Sequence, residues 1–222
     1  MPVTAVEPTQ LMLALEVGDG AADRLAAILA VAPVASVVLR PLPGRPLVAS
    51  ACLPLVEAGQ KTGVAMLLEA DAELARTLRA DGVHLPVSDD PLPPTAAARA
   101  WLGGRAIVGA DAGWSRHDAM SLGEAGVDYV AFGIPPFVKE RAEAVERRLD
   151  LVAWWAEIFE VPVVAMNVTD AGEAGPLALA GADFVCLSIN AGIKVADAAE
   201  LARAVVSAMA SAKGRVLSPH SS

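Results

Sequence analysis

Short apolar runs recur along the chain and alternate with longer segments rich in Ala, Leu, Glu and Arg. Apolar runs of about four to six residues between turn-forming residues are typical of strands buried on both faces, and the longer segments have helical composition. The pattern predicts strands at residues 11–15, 35–39, 64–68, 82–85, 106–109, 129–132, 161–166 and 182–187. It predicts helices between and after them, at residues 21–30, 46–60, 72–79, 95–102, 117–125, 145–159, 172–180 and 196–210.

Strict alternation of strand and helix predicts a parallel sheet in the α/β class. Eight such units in a chain of 222 residues match a (β/α)8 TIM barrel, which usually takes about 200 to 250 residues. We therefore expect a single barrel domain over residues 1–210 and a flexible C-terminal tail over residues 211–222. An open, doubly wound sheet is the alternative fold.

An internal repeat favours the barrel. At Asp81, Asp128 and Asp183 a small residue at a predicted helix end is followed by an aspartate and then an apolar strand. The spacing between successive copies is close to the length of two strand-and-helix units. A small residue relieves the left-handed turn that often ends a helix, so the repeat marks equivalent connections from helix to strand.

The composition adds limits on location and partners. The hydrophobic fraction is 55% and the mean hydropathy is +0.48, but the longest segment without a charge, residues 25–39, is shorter than the roughly 20 residues that span a bilayer. No basic residue precedes Arg24, so a secretory leader is not expected, and we expect a cytoplasmic protein with no membrane partner. A net charge of −9 argues against nucleic acid as a partner. Cys52 and Cys186 are far apart and are expected to be buried thiols.

Candidate chemistry lies just after the predicted strands, because the working face of such a barrel is at the carboxyl ends of its strands. The polar residues there are Glu16, Arg40, Glu69, Asp71, His84, Asp89, Asp90, Asp111, Lys139, Asn167, Thr169, Ser188 and Asn190. Most of the charged ones are acidic, so we expect an acidic mouth. His84 alternates with Val83 and Leu85, which points it into the barrel, where a hydrogen-bonded structural role is favoured over that of a general base.

Four segments carry a resemblance to a known family. They are residues 81–85 with Asp89, residues 126–133, residues 163–165 and residues 181–183. In this order and spacing they resemble the thiamine phosphate synthase and thiazole tautomerase family over most of the chain, and residues 82–85 are the most distinctive piece. The resemblance implies a (β/α)8 barrel. It also implies a transferase that joins a pyrimidine pyrophosphate to a thiazole phosphate with Mg2+ and releases pyrophosphate.

Carried over to this chain, the resemblance implies roles for particular residues. Arg40 and Lys139 would be catalytic, and Asp89, with Glu69 close to a second ligand position, would bind Mg2+. The expected partner is a small phosphorylated molecule, held by Arg40 and by the turn that contains Ser188, Asn190 and Gly192. A homodimer is compatible with Trp154 and Trp155, which suit either outer packing or a subunit contact.

This chain departs from the family pattern at several positions that serve phosphate or metal. Val38 and Leu42 stand where the family has Gln and Lys, Ala70 replaces an aspartate that binds magnesium, Asp111 replaces a serine near phosphate, and Asn167-Val168 replace a pair of glycines. We therefore describe the expected function as thiamine phosphate synthase-like with a degenerate active site. The alternatives are a regulatory barrel that binds a phosphorylated ligand without catalysis, or an enzyme acting on a less phosphorylated substrate.

Overall fold

The computed structural model describes residues 8–135 and 138–216, and within them eight parallel strands close into a barrel in chain order. This confirms the (β/α)8 TIM barrel and excludes the open sheet. The strands are β1 (Gln10–Glu16), β2 (Val34–Arg40), β3 (Ala65–Glu69), β4 (Gly82–Leu85), β5 (Ile107–Asp111), β6 (Tyr129–Phe132), β7 (Val163–Val168) and β8 (Phe184–Ile189). The helices are α1 (Ala21–Leu29), α2 (Ala49–Lys61), α3 (Ala72–Leu78), α4 (Leu92–Leu102), α5 (Arg116–Glu124), α6 (Arg141–Ile158), α7 (Ala171–Leu179) and α8 (Val195–Val216).

Each predicted strand and helix is present, and the differences lie at element ends. Helix α4 begins before Thr95, at Leu92, because proline fits the first helical turn, where its missing N–H is not needed. Helix α6 begins at Arg141 rather than at residue 145. Helix α8 continues to Val216, so the predicted domain boundary at residue 210 falls inside a helix, and the rest of the predicted tail, residues 217–222, lies outside the described residues.

The core has two layers, as the alternation of side chains along each strand requires. One set of strand residues packs outward against the helices, and the other fills the barrel interior. The interior residues are Met12, Ala14, Val38, Leu67, Tyr129, Ala131, Val164, Met166 and Cys186. Counting on by two from these residues leads to Glu16, Arg40 and Glu69 at the carboxyl ends of β1, β2 and β3. The inward face therefore changes from apolar to charged at that end of the barrel.

The repeated aspartates fasten neighbouring strands at the opposite end of the barrel. The carboxylate of Asp81 accepts a hydrogen bond from the backbone N–H of Met66 at 2.7 Å, and the backbone N–H of Asp81 donates to the carbonyl of Met66. Asp128 makes the same pair of bonds with Val108, and Asp183 makes it with Val163. The repeat thus joins each even-numbered strand from β4 onward to the strand before it, at the face associated with stability rather than catalysis.

Two further expectations bear on the core and the surface. Cys52 and Cys186 are buried free thiols, as expected. Trp155 is fully buried, and its ring meets those of Phe132 and Trp154, so the tryptophan pair serves the packing of α6 on the barrel. Among the described helices, none combines the length and the apolar composition needed to cross a membrane.

Gly109 is required by the packing inside the barrel. A Cβ atom at this position would fall within the ring of Tyr129, whose hydroxyl contacts His84. We expect Gly109→Ala to lower the free energy of unfolding by about 1 to 3 kcal/mol, because overpacking forces neighbouring side chains out of their rotamers. Chemical denaturation measures the change. Gly104→Ala is the control, since nothing lies within 4 Å of a Cβ there, and equal stabilities of the two variants would contradict this account.

Candidate active site at the carboxyl ends of the strands

A cavity of about 200 Å3 opens among the polar residues at the carboxyl ends of the strands. Its wall includes Arg40, Glu69, His84, Asp111, Gly133, Ile134 and Asn167. A second cavity of about 490 Å3 lies against the loop at residues 41–47 and shares Arg40 and Glu69 with the first. These two side chains therefore form the partition between an inner pocket and an outer pocket. Other cavities occur elsewhere, but catalysis in (β/α)8 barrels takes place at this end.

Arg40 and Glu69 form an ion pair at the last residues of β2 and β3. The Arg40 Nε atom lies 2.6 Å from the Glu69 Oε2 atom, and the Glu69 side chain is nearly buried. The terminal guanidinium nitrogens of Arg40 have no hydrogen-bond partner among the described residues, so they stay open to a ligand. The structure thus joins a predicted phosphate-binding residue to a predicted metal ligand, and Glu69 orients the guanidinium while offsetting its charge.

Asp111 lies at the end of β5 on the wall of the inner pocket. Its Oδ1 atom accepts hydrogen bonds from the backbone N–H groups of Gly113 at 2.8 Å and Gly133 at 3.0 Å. Burial raises the pKa of this carboxyl from 3.8 to about 6, against the lowering effect of those two bonds and of the Arg40 charge. At neutral pH the pocket wall therefore carries a second carboxylate. This agrees with the acidic mouth predicted from the sequence.

His84 lies on the wall of the inner pocket and is buried. Its Nδ1 atom is 2.9 Å from the Tyr129 hydroxyl, and the two rings stack. Burial, with a smaller effect of the positive charge on Arg40, lowers the pKa of His84 to about 3. The imidazole is therefore neutral at physiological pH, and the hydrogen bond expected for a structural histidine is present.

The turn after β8, predicted to bind phosphate, has two of its backbone N–H groups paired with side chains of the protein. The N–H of Ala191 donates to Glu16 Oε2 at 2.8 Å, and the N–H of Gly192 donates to Asn190 Oδ1 at 3.1 Å. Ser188 is half-buried in β8, and Asn190 and Gly192 are exposed. A protein carboxylate thus occupies one position where a phosphate oxygen would bind. The role of Ser188, Asn190 and Gly192 stays a prediction.

Asn167 is a pocket residue to which the sequence pattern assigned no role. The pairing of β7 with β8 is irregular between Ala165 and Val168, and Asn167 has a positive φ of 59°. Its Oδ1 atom accepts the N–H of Ile134 at 2.9 Å. Asparagine tolerates this left-handed conformation better than most residues, which is a signal that sequence alone could have offered.

Lys139 and Asp89 are not among the residues that line the two pockets. Lys139 is exposed just before α6, and Asp89 is exposed in the loop after β4. The neighbouring Asp90, which precedes the N-cap residue Pro91, accepts the N–H of Leu92 at 3.3 Å at the start of α4. The catalytic role of Lys139 and the metal-binding role of Asp89 stay predictions.

The described residues do not form a protein cage for a magnesium ion. Mg2+ is held by carboxylate oxygens, other oxygen ligands and waters in octahedral geometry. Here one oxygen of Glu69 holds Arg40, and no group of three His, Cys, Asp or Glu residues within the described part of the chain could hold a metal. Ala70, which replaces the family's magnesium-binding aspartate, has a positive φ of 62° that aspartate would tolerate better. The family resemblance alone supports magnesium.

The raised pKa of Asp111 predicts a pH dependence of stability. The folded state holds this proton more tightly than the unfolded chain, so its contribution to stability is present below about pH 4 and lost as the pH rises through about 6. We expect Asp111→Asn, which removes the charge and can still accept both backbone bonds, to be more stable than the original protein at about pH 7.5 and no more stable near pH 4. Guanidinium denaturation at both pH values measures this. The exposed Asp150→Asn is the control, and an equal gain at both pH values would contradict the assignment.

Such a barrel, with a polar pocket at the carboxyl ends of its strands, has the architecture of the (β/α)8 class, in which small-molecule sites lie at this end. A family model described as thiamine monophosphate synthase matches residues 14–191, and the chain belongs to this family.

Curated relatives agree with this assignment, and solved structures agree with the fold. The chain is 42% identical over 127 residues to a thiamine-phosphate synthase of Erythrobacter litoralis and 46% identical over 131 residues to one of Hyphomonas neptunium. These matches cover 56% and 58% of this chain and 58% and 57% of the relatives, which is less than two thirds of their length. The structure of a thiamine phosphate pyrophosphorylase from Pyrococcus furiosus superimposes with a TM-score of 0.69 at 16% identity, covering 91% of this chain and 96% of that one. A Mycobacterium tuberculosis tryptophan synthase structure gives a TM-score of 0.68 at 14% identity, covering 91% and 93%, so these structural matches show the fold alone.

Proposed function

We propose that this chain is a thiamine phosphate synthase-like transferase that joins a pyrimidine pyrophosphate to a thiazole phosphate. The observation that carries the proposal is the Arg40 guanidinium, which Glu69 holds at the partition of the two pockets with its terminal nitrogens unpaired among the described residues. Arginine binds phosphoryl oxygens in bidentate fashion, and the resembled family uses an arginine at this position for pyrophosphate. We also propose the cytoplasmic location expected from the sequence, because phosphorylated metabolites are retained there.

The chemistry divides between a leaving anion and a developing cation. As the bond between the pyrimidine methylene carbon and the pyrophosphate oxygen breaks, both electrons leave with pyrophosphate, and Arg40 is placed to bind its oxygens. The carbocation left on the pyrimidine is then attacked by the thiazole nitrogen, which forms the new carbon–nitrogen bond. Glu69 and Asp111 provide negative charge in the same pocket, which favours the cation.

A second candidate is a barrel that binds a less phosphorylated ligand, with or without catalysis. The observation that favours it is the pairing of backbone N–H groups at the mouth with protein side chains: Glu16 with Ala191, Asp111 with Gly113 and Gly133, and Asn167 with Ile134. Such groups are the usual partners of phosphate oxygens. A dianion would have to displace side-chain oxygens, two of them charged, whereas a neutral ligand would not.

The decisive experiment is incubation of the purified protein with the pyrimidine pyrophosphate, the thiazole phosphate and Mg2+. We expect both thiamine phosphate and pyrophosphate to form in equal amounts, and the Arg40→Gln variant to form neither. Complete absence of thiamine phosphate in the original protein rejects the first candidate. Calorimetry with the thiazole phosphate and the corresponding thiazole alcohol then tests the second, which requires that the alcohol bind at least as tightly.

A further inference from the structure

Arg24 is a buried arginine whose charge is not compensated by any of the described residues. It is 3% exposed on the buried face of α1, and its Nε and Nη2 atoms are fully buried without a hydrogen-bond partner. By contrast, the buried Arg148 pairs with Glu173 and donates to the Met166 carbonyl. An unpaired buried charge is costly, and arginine cannot lose its proton to avoid the cost. A bound anion would compensate the charge of Arg24.

The first turn of α1 places unpaired backbone donors beside this guanidinium. Gly20 is the N-cap residue of the helix, has a positive φ of 73° and offers no side-chain cap. The N–H groups of Ala22 and Asp23 have no partner among the described residues. A Cβ atom at Gly20 would lie 3.1 Å from Arg24 Nη1, so glycine leaves the approach to that nitrogen open. Free N–H groups at the start of a helix, together with the helix dipole, favour anions.

We propose that Arg24 and the first turn of α1 form an anion site that takes a phosphoryl group, either as inorganic phosphate or as a small phosphomonoester. The guanidinium and the backbone N–H groups only donate hydrogen bonds, and phosphoryl oxygens accept them. A phosphoryl group offers three oxygens and a double charge to these donors, whereas a carboxylate offers two oxygens and a single charge. Arg24 lines neither of the pockets that Arg40 and Glu69 separate, so the site does not depend on the proposed function.

Two aspartates in the same segment define the competing explanation. Asp19 and Asp23 are exposed, and neither forms an ion pair with Arg24. Their carboxylates stay hydrated while the guanidinium is buried, so they reduce the affinity for an anion without compensating Arg24. If Asp19 closed onto Arg24 in solution, Asp19→Asn would lower stability. The proposal expects instead that Asp19→Asn keeps the stability and binds phosphate more tightly.

The test is a calorimetric titration with inorganic phosphate at constant ionic strength, in an Arg40→Gln background that weakens the candidate active site. We expect saturable binding that Arg24→Met weakens by about tenfold or more, because the charge-assisted hydrogen bonds are lost. In phosphate-free buffer, Arg24→Met should be at least as stable as its parent, because it removes an uncompensated charge and keeps an apolar stem. Added phosphate should raise the melting temperature of the parent more than that of the variant.

Other ligands and a matched variant sharpen the result. Arg203→Met, at an exposed position of α8, should leave phosphate binding unchanged. Methyl phosphate separates the two sources of the phosphoryl group: binding at least as tight as that of inorganic phosphate assigns the site to a phosphomonoester, and weaker binding assigns it to the free ion. Acetate should bind more weakly than both, and equally tight binding of acetate would overturn the assignment to a phosphoryl group.

A second variant keeps the proposal testable if Arg24→Met folds poorly. Asparagine at position 20 tolerates the positive φ and places an amide beside Arg24 Nη1, so Gly20→Asn should also weaken phosphate binding by about tenfold. Phosphate binding that is absent from the parent, or unchanged in either variant, would overturn the site. A loss of stability in Arg24→Met or Asp19→Asn in phosphate-free buffer would also overturn it, because the guanidinium would then have a partner within the protein.

Discussion

Replacing Arg148 by methionine is expected to lower the free energy of unfolding by about 3 kcal/mol. Arg148 is fully buried on α6, where it donates to the carbonyl of Met166 at 2.6 Å and forms an ion pair with Glu173. Burial alone would raise the pKa of Glu173, but hydrogen bonds from Arg148 and Arg141 bring it below its usual range. Methionine keeps much of the volume but leaves Glu173 and the Met166 carbonyl without this partner. The remaining bond from Arg141 to Glu173 holds the loss at the lower end of the range for broken buried pairs.

Guanidinium denaturation measures this loss, and two variants identify its cause. Arg203→Met, at an exposed position of α8, should change stability by less than about 0.5 kcal/mol. The double variant Arg148→Met with Glu173→Gln should be more stable than Arg148→Met alone, because it no longer leaves a poorly paired charge. Glu173→Gln is measured alone as well, and if the double variant loses the sum of the two single effects, the ion pair is not the source of the cost.

The same ion pair connects the helical layer to the pocket. Arg148 holds the carbonyl of Met166, and Arg141 holds the carbonyl of Asn167 and the hydroxyl of Thr169. These contacts fix the irregular end of β7, where the backbone turns through a positive φ. Since Asn167 enters the pocket wall from this segment, the outer helix positions its side chain by holding its backbone carbonyl.

The architecture was predictable because it depends on local signals that repeat. Apolar runs marked the strands, and the turns at Asp81, Asp128 and Asp183 marked equivalent helix-to-strand connections. Each of these aspartates makes the same two bonds to the preceding strand, so the repeat in sequence is a repeat in contacts. Element ends were harder to place, since a proline-containing first turn in α4 and a long last helix leave no clear boundary in composition.

The residues of the site were predictable as a set but their partners were not. Their positions just after predicted strands placed Arg40, Glu69 and Asp111 at the carboxyl ends, where the structure has them. That Arg40 pairs with Glu69 follows from the register of β2 and β3, in which Leu39 lies beside Leu68. The hydrogen bond from the N–H of Ala191 to Glu16 joins residues at opposite ends of the chain. It requires the pairing of β1 with β8 that closes the barrel. The hydrophobic pattern within one segment does not show which residues of separate segments come into contact, so neither contact was predictable from it.

Replacing Arg40 by glutamine is expected to weaken the binding of inorganic pyrophosphate by about 100-fold, which corresponds to about 2.7 kcal/mol. Two effects add in the same direction. The variant loses the charge-assisted hydrogen bonds from the terminal guanidinium nitrogens, which contribute about 1.5 to 3 kcal/mol. It also leaves Glu69, now unpaired, with Asp111 in a pocket that has lost its cation, so an anionic ligand meets uncompensated negative charge.

Calorimetry at constant ionic strength measures this change, because pyrophosphate binding is sensitive to salt. Arg105→Gln, which removes one exposed positive charge away from both pockets, should bind as the original protein does. The double variant Arg40→Gln with Glu69→Gln removes the pair together and should recover part of the affinity, since the repulsion from Glu69 is gone while the lost hydrogen bonds are not restored. Arg40→Lys keeps the charge without the planar fork and should fall between the original protein and Arg40→Gln. Pyrophosphate binding unaffected in Arg40→Gln would mean that the anion binds elsewhere, and the proposed transferase would then lose the group that receives its leaving pyrophosphate.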